Sequence, residues 1–157
     1  MLTAAEELDL GDLLKKQGDI AGARAAYQRA IDSGDKDSAP ITWDRMGDLL
    51  QEQGDVAGAR AAYQRAIDSG NETWAPAAAV GLGHLLEDQG DVFGARAAYQ
   101  RAIDSGNETW APAAAVDLGD LLREQGDTAG ARAAYQRAID SGNETWAPKA
   151  ATRLRDV

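Results

Sequence analysis

The chain has 157 residues and no cysteine, and its 26 acidic residues outnumber the 16 basic ones for a net charge of −10. Disulfides, a thiolate nucleophile and Cys-ligated zinc are thereby excluded, and the acidic field disfavours phosphate backbones and anionic membrane surfaces while favouring solubility and basic partners. No apolar run approaches the ~18 residues of a membrane span, and the opening MLTAAEELDL lacks the basic-then-apolar order of a secretory signal, so a cytoplasmic protein that binds neither nucleic acid nor membrane is expected.

The tetrapeptide Ala-Tyr-Gln-Arg begins at Ala26, Ala62, Ala98 and Ala134, always 36 residues apart, and the segment Ala59 to Val80 recurs letter for letter from Ala95 to Val116. A fixed period of this length predicts stacked two-helix units, since one such unit cannot bury its apolar faces alone. Four repeats are expected at about 2–37, 38–73, 74–109 and 110–145, with a capping helix over 146–157, all in one domain of 157 residues. The first repeat lacks the Trp-Ala-Pro that opens the third and fourth, which suits an outer cap.

The repeat from Trp110 to Thr145 shows the local logic. Ala114, Leu118, Leu121 and Leu122 recur at helical spacing, with Thr109 as expected N-cap and Pro112 in the first turn. Gly126 ends this helix and Asp127 starts the next, about Thr128 to Ser141, which gathers Ala131, Ala134, Tyr135, Ala138 and Ile139 on one face. Gly119 and Ala131 lack bulk where two helices approach, and Gly130 is read as extending that slim surface. Glycine costs about 1 kcal/mol against alanine inside a helix, so its recurrence at Gly22, Gly58, Gly94 and Gly130 calls for a steric reason. Trp74, Trp110 and Trp146 are expected to pack near Ile67, Ile103 and Ile139. Phe93, where the other repeats have Ala21, Ala57 and Ala129, is a candidate contact patch. In the last helix, Trp146 to Arg155, the reading has Ala150, Ala151 and Leu154 covering the final pair while Lys149, Arg153 and Arg155 face solvent.

With correct internal spacing, Leu118-Gly119, Leu122, Gly126, Ala131, Tyr135 and Ala138 match the tetratricopeptide repeat pattern, as do Leu10-Gly11 through Ala30, Met46-Gly47 through Ala66, and Leu82-Gly83 through Ala102. Trp43 takes the pattern's tryptophan site once; Ala79 and Ala115 replace it elsewhere. The chain thus resembles the tetratricopeptide repeat family, and its wording looks like the long-linker arrays of actinobacterial proteins. It departs from the pattern in lacking the proline and in a linker two residues longer than the 34-residue norm.

The resemblance implies an all-α solenoid of antiparallel helix pairs in a right-handed superhelix, with first helices lining a concave groove and second helices forming the back. By that carry-over the groove residues are Leu8, Asp12, Lys15 and Lys16; Asp44, Asp48, Gln51 and Glu52; Val80, His84, Glu87 and Asp88; and Val116, Asp120, Arg123 and Glu124. These are also positions where otherwise alike repeats differ. Asp48–Glu52 and Asp120–Glu124 lie one helical turn apart, a like-charge pairing that a basic peptide relieves; Val80 and Val116 offer an apolar alternative. Lys, Arg and Asn of the family's carboxylate-gripping members are missing from the matching positions. His84, the sole histidine, lies one turn before Asp88, where a local pair is easy to form, and is read as a surface substitution.

No nucleophile motif or convergent catalytic set accompanies His84, so no catalytic, cofactor or metal site is assigned. The expected function is a non-catalytic interaction module or scaffold binding a protein or basic peptide in an acidic groove. The alternative is a self-assembling or engineered array whose terminal repeats stack or exchange helices, because near-identical interfaces fit one another.

Overall fold

The computed structural model describes all 157 residues. Nine helices follow one another: α1 (Ala4–Lys16), α2 (Ile20–Asp32), α3 (Ala39–Glu52), α4 (Val56–Asp68), α5 (Trp74–Asp88), α6 (Val92–Asp104), α7 (Trp110–Glu124), α8 (Thr128–Asp140) and α9 (Trp146–Arg155). They form two compact units, residues 1–81 and 82–157, whose boundary falls within α5. In the first unit α1 packs on α2, α2 on α3, and α3 on α4; in the second, α6 packs on α7, α7 on α8, and α8 on α9. None of the helices is long and apolar enough to cross a membrane.

The helix ends follow from short-range chemistry. Between the first and second helices of each repeat, Gly18, Gly54, Gly90 and Gly126 adopt φ of 83°, 74°, 75° and 78°, left-handed values that only glycine takes readily. At Gly54 the amide donates to Gln51 O, and the next amide, of Asp55, reaches back to Leu50 O, the paired bonds of a Schellman stop. The same aspartate then caps the following helix: Asp19, Asp55, Asp91 and Asp127 each accept a 2.9 Å bond from the amide of Gly22, Gly58, Gly94 or Gly130. This explains those four glycines. A Cβ on any of them would collide with the capping carboxylate, so they serve the cap rather than extending the slim helix-packing surface.

One other expectation changes. Thr109 stands at the N-cap position of α7 without a side-chain cap bond. The cap is two residues earlier, where Asn107 Oδ1 accepts from the amides of Thr109 (3.0 Å) and Trp110 (2.9 Å); Asn71 and Asn143 do the same in their linkers. Asparagine is the better acceptor because its carbonyl reaches back over the first helical amides, an Asx-type turn. Trp43, Trp74, Trp110 and Trp146 are only half-buried. Three of them lie under cations: Arg45 is 5.2 Å from the Trp74 ring centroid, Arg65 5.8 Å from Trp43 and Lys149 4.2 Å from Trp146.

The core of each repeat is a tyrosine laid on a glycine. Tyr27, Tyr99 and Tyr135 are 0% exposed and Tyr63 1%. Their rings rest on Gly11, Gly83, Gly119 and Gly47 of the preceding helix. Ala23, Ala26 and Ala30 and their repeats flank the rings, all buried, and alanine there lets the helices close on the aromatic plate. A Cβ on Gly47 would lie 2.6 Å from Tyr63 Cδ1. Gly47→Ala therefore sets a helix-propensity gain of about 1 kcal/mol against overpacking of about 1–3 kcal/mol. Denaturant unfolding should show net destabilisation, unlike the gain that propensity alone gives.

Candidate functional site

The tyrosine that fills each repeat also reaches through it to the exposed side of the first helix. Tyr27 Oη donates to Asp12 Oδ1 at 2.6 Å, Tyr99 to Glu87 Oε2 at 2.6 Å and Tyr135 to Asp120 Oδ1 at 2.7 Å. Tyr63 Oη lies 2.8 Å from both Asp48 Oδ1 and Gln51 Oε1. Burial, joined by the accepting carboxylate, pushes all four phenols well above their ordinary range, so they stay protonated donors. In the third repeat the acceptor shifts from the aspartate position to Glu87, because His84 stands there instead.

The residue 33 places onward, on the next first helix, sets what else that position meets. Arg45 Nε is 3.7 Å from Asp12 Oδ1. Arg153 Nε lies 2.9 Å from both Asp120 oxygens. His84 Nε2 is 2.9 Å from Asp117 Oδ2, with the charge order reversed. Opposite Asp48 stands Gly81.

Several assigned groove residues are therefore committed inside the fold. Val80 and Val116 are 5% and 1% exposed and present no apolar strip; Leu8 is buried as well. Asp44 is 6% exposed. Burial, reinforced by Asp48 and opposed by Arg45, pushes its carboxyl up from 3.8 to about 7. His84 pairs with Asp117 of the next repeat rather than with Asp88. Arg153 grips Asp120 rather than facing solvent, because α9 lays it against α7. Lys15 reaches across to Glu52 at 2.8 Å. Lys16, Glu52, His84, Asp88, Arg123 and Glu124 are exposed, while Asp12, Asp48, Gln51, Glu87 and Asp120 are half-buried.

Sequence reading missed Arg45, Gly81, Asp117 and Arg153 as a set. The available signal was their single register: one position in consecutive first helices that changes from Arg to Gly to Asp to Arg.

On the linker side of the second unit, a cleft of about 620 Å3 is lined by Ile103, Ala111, Pro112, Arg137 and the linker segments that begin at Gly106 and Gly142. Arg137 is only loosely paired there, 3.9 Å from Asp104. Phe93 is 87% exposed.

The hydrogen bond to Asp117 is the main cause holding the His84 pKa above its ordinary 6.5; desolvation opposes it, and the charges of Asp117, Glu87 and Asp88 assist. The folded chain thus binds this proton more tightly than the unfolded one. The resulting stabilisation is complete below the unfolded pKa and disappears as pH rises through the folded value. His84→Gln should lower thermal stability in mild acid by up to about 1 kcal/mol, the scale of a solvent-screened pair, with the difference from wild type vanishing in alkali. A pH-independent difference would sever His84 protonation from stability.

A sequence profile of the tetratricopeptide repeat matches residues 8–44, 45–108 and 80–144. Among solved structures, the chain is similar to the MamA protein at 22% identity and a TM-score of 0.70, over 98% of this chain and 84% of that one. It is also similar to BtubC (BKLC) from P. vanneervenii at 18% identity and a TM-score of 0.79, over 96% of this chain and 69% of that one. Both likenesses show the fold, an all-α helical repeat solenoid. No curated protein sequence matches significantly.

Proposed function

The chain belongs to the tetratricopeptide repeat family, and from that membership we propose a non-catalytic interaction module that takes a protein or peptide segment on the exposed faces of its first helices. One observation carries the reading: the second helices are nearly invariant, whereas the first helices carry the differences between repeats. The invariant side is consumed by packing, through the buried tyrosines and alanines of α2, α4, α6 and α8. Variation in Lys16, Glu52, Asp88 and Glu124 falls on side chains that solvent and a partner can reach. The acid excess favours a basic segment.

The test begins with a partner captured from the source cell and purified. Charge reversal at exposed Glu52 and Glu124 (to Lys) should weaken its binding about tenfold or more and flatten the salt dependence, while reversal at Glu72 and Glu144 on the linkers should not. Equal effects from the two sets would move the binding face away from the first helices.

A second reading, self-association through the terminal repeat, has its own support. Leu13 is 51% exposed, whereas the equivalent Leu49, Leu85 and Leu121 are 0%, 2% and 2% exposed. Leu13→Lys should dissociate any assembly seen by light scattering across concentration; a wild type that stays monomeric throughout disposes of this reading.

A further inference from the structure

Among the four equivalent first-helix positions, Asp48 alone faces no charged side chain across the repeat boundary. Asp12 has Arg45, His84 has Asp117 and Asp120 has Arg153. Asp48 accepts the Tyr63 hydroxyl and has Gly81 opposite. The glycine lets α5 close on the ring: a Cβ on Gly81 would lie 2.7 Å from Tyr63 Cε1 and 2.9 Å from Cζ, so the buried ring sits between Gly47 and Gly81. At this register Arg45 and Arg153 stand beside Tyr27 and Tyr135, but the glycine on α5 offers Asp48 no side chain. A cation that completes the constellation must come from another molecule.

The occupied copy shows what such a cation is. At Asp120 the same arrangement of a first-helix aspartate and a second-helix tyrosine hydroxyl holds a guanidinium, with Arg153 Nε 2.9 Å from both oxygens. The surroundings of Asp48 deepen the charge deficit. Asp44 lies one turn earlier, and its ion pair to Arg45 is 3.5 Å long. The same Arg45 is also drawn toward Asp12 and Trp74. Besides burial, the main influences on Tyr63 are the carboxylates of Asp48, Asp44 and Glu52, the last paired with Lys15, whereas Arg45 opposes at Tyr27 and Arg123 and Arg153 oppose at Tyr135.

We propose that Asp48, beside Gly81, is the seat for an arginine side chain of the bound protein segment, whose guanidinium takes the place that Arg153 takes on Asp120. This rests on the first-helix face being the protein-binding face and names the chemistry it selects. A planar guanidinium with donors in a fixed fork suits a carboxylate approached over the bare backbone of a glycine; a lysine ammonium supplies charge without that match.

The probe is N-acetyl-arginine amide, titrated into the full chain labelled with 15N, with N-acetyl-citrulline amide as the neutral, nearly isosteric control. Saturable shifts should centre on the amides of Asp48 and Gly81, be abolished in Asp48→Asn, and be absent with citrulline. N-acetyl-lysine amide should bind several-fold more weakly. Arg153→Ala should open a second, equivalent set of shifts around Asp120, which wild type lacks. Shifts spread over the exposed carboxylates of all helices, a citrulline response equal to that of arginine, or silence at Asp120 in Arg153→Ala would overturn the seat. Because the probe is independent of the natural partner, loss of the seat with retained sensitivity of that partner to Glu52 and Glu124 reversal defeats this inference alone. An intact seat with no such sensitivity defeats the broader reading instead.

Discussion

A tyrosine ring packed tightly against a glycine on the preceding helix governs everything else in this chain. The ring needs a partner helix without a Cβ at the contact, and the contact brings the two backbones close enough for alanines to fill the remaining space. It leaves the hydroxyl pointing out through the first helix, where it finds a carboxylate. One side chain thus links the apolar interior of each repeat to the charged face at its surface. The repeated sequence is so uniform because that geometry tolerates so little: added volume at the glycine and lost volume at the ring both disturb a close-packed contact.

That economy separates the two helices of a repeat by role. The second helix is occupied by packing on its inner side and by its aspartate cap at its start, which leaves it little freedom to vary. The first helix must supply the glycine, the leucines and an acceptor for the phenol, and the remaining positions are open. At those positions Asp is exchanged for His, Arg for Gly, and Lys for Glu. Most of these differences change the charge of the face, while the scaffold beneath it stays constant.

Much of the fold could be read from the letters because it is periodic and local. The 36-residue spacing, the Gly-Asp turn and the apolar stripes each follow from contacts within a few residues or from the stack itself, and all nine helices fall where these signals put them. The face was less legible. Val80 and Val116 sit at the right register for a groove, yet both are buried, and helical spacing alone cannot distinguish a buried flank from an open one. His84 finds Asp117 rather than Asp88 because its ring crosses to the next repeat, a contact that depends on how the helices stack. Gly22 and its copies were misread for a related reason: a glycine that makes room for a capping carboxylate resembles, in sequence, a glycine that makes room for a helix.

The alternating charges across the repeat boundaries bear on how so repetitive a chain finds its register. Second helices that are nearly interchangeable offer little to stop a first helix from docking one repeat too far along, and the apolar contacts of such a slipped stack would be almost as good as the native ones. The charged positions break that degeneracy. An Asp48 that skipped to the third boundary would meet Asp117 in place of Gly81, and a protonated His84 that skipped to the last helix would meet Arg153 in place of Asp117. Each error sets like charges together at a partly dry interface. The same side chains that give each repeat its individual surface also number the repeats in order.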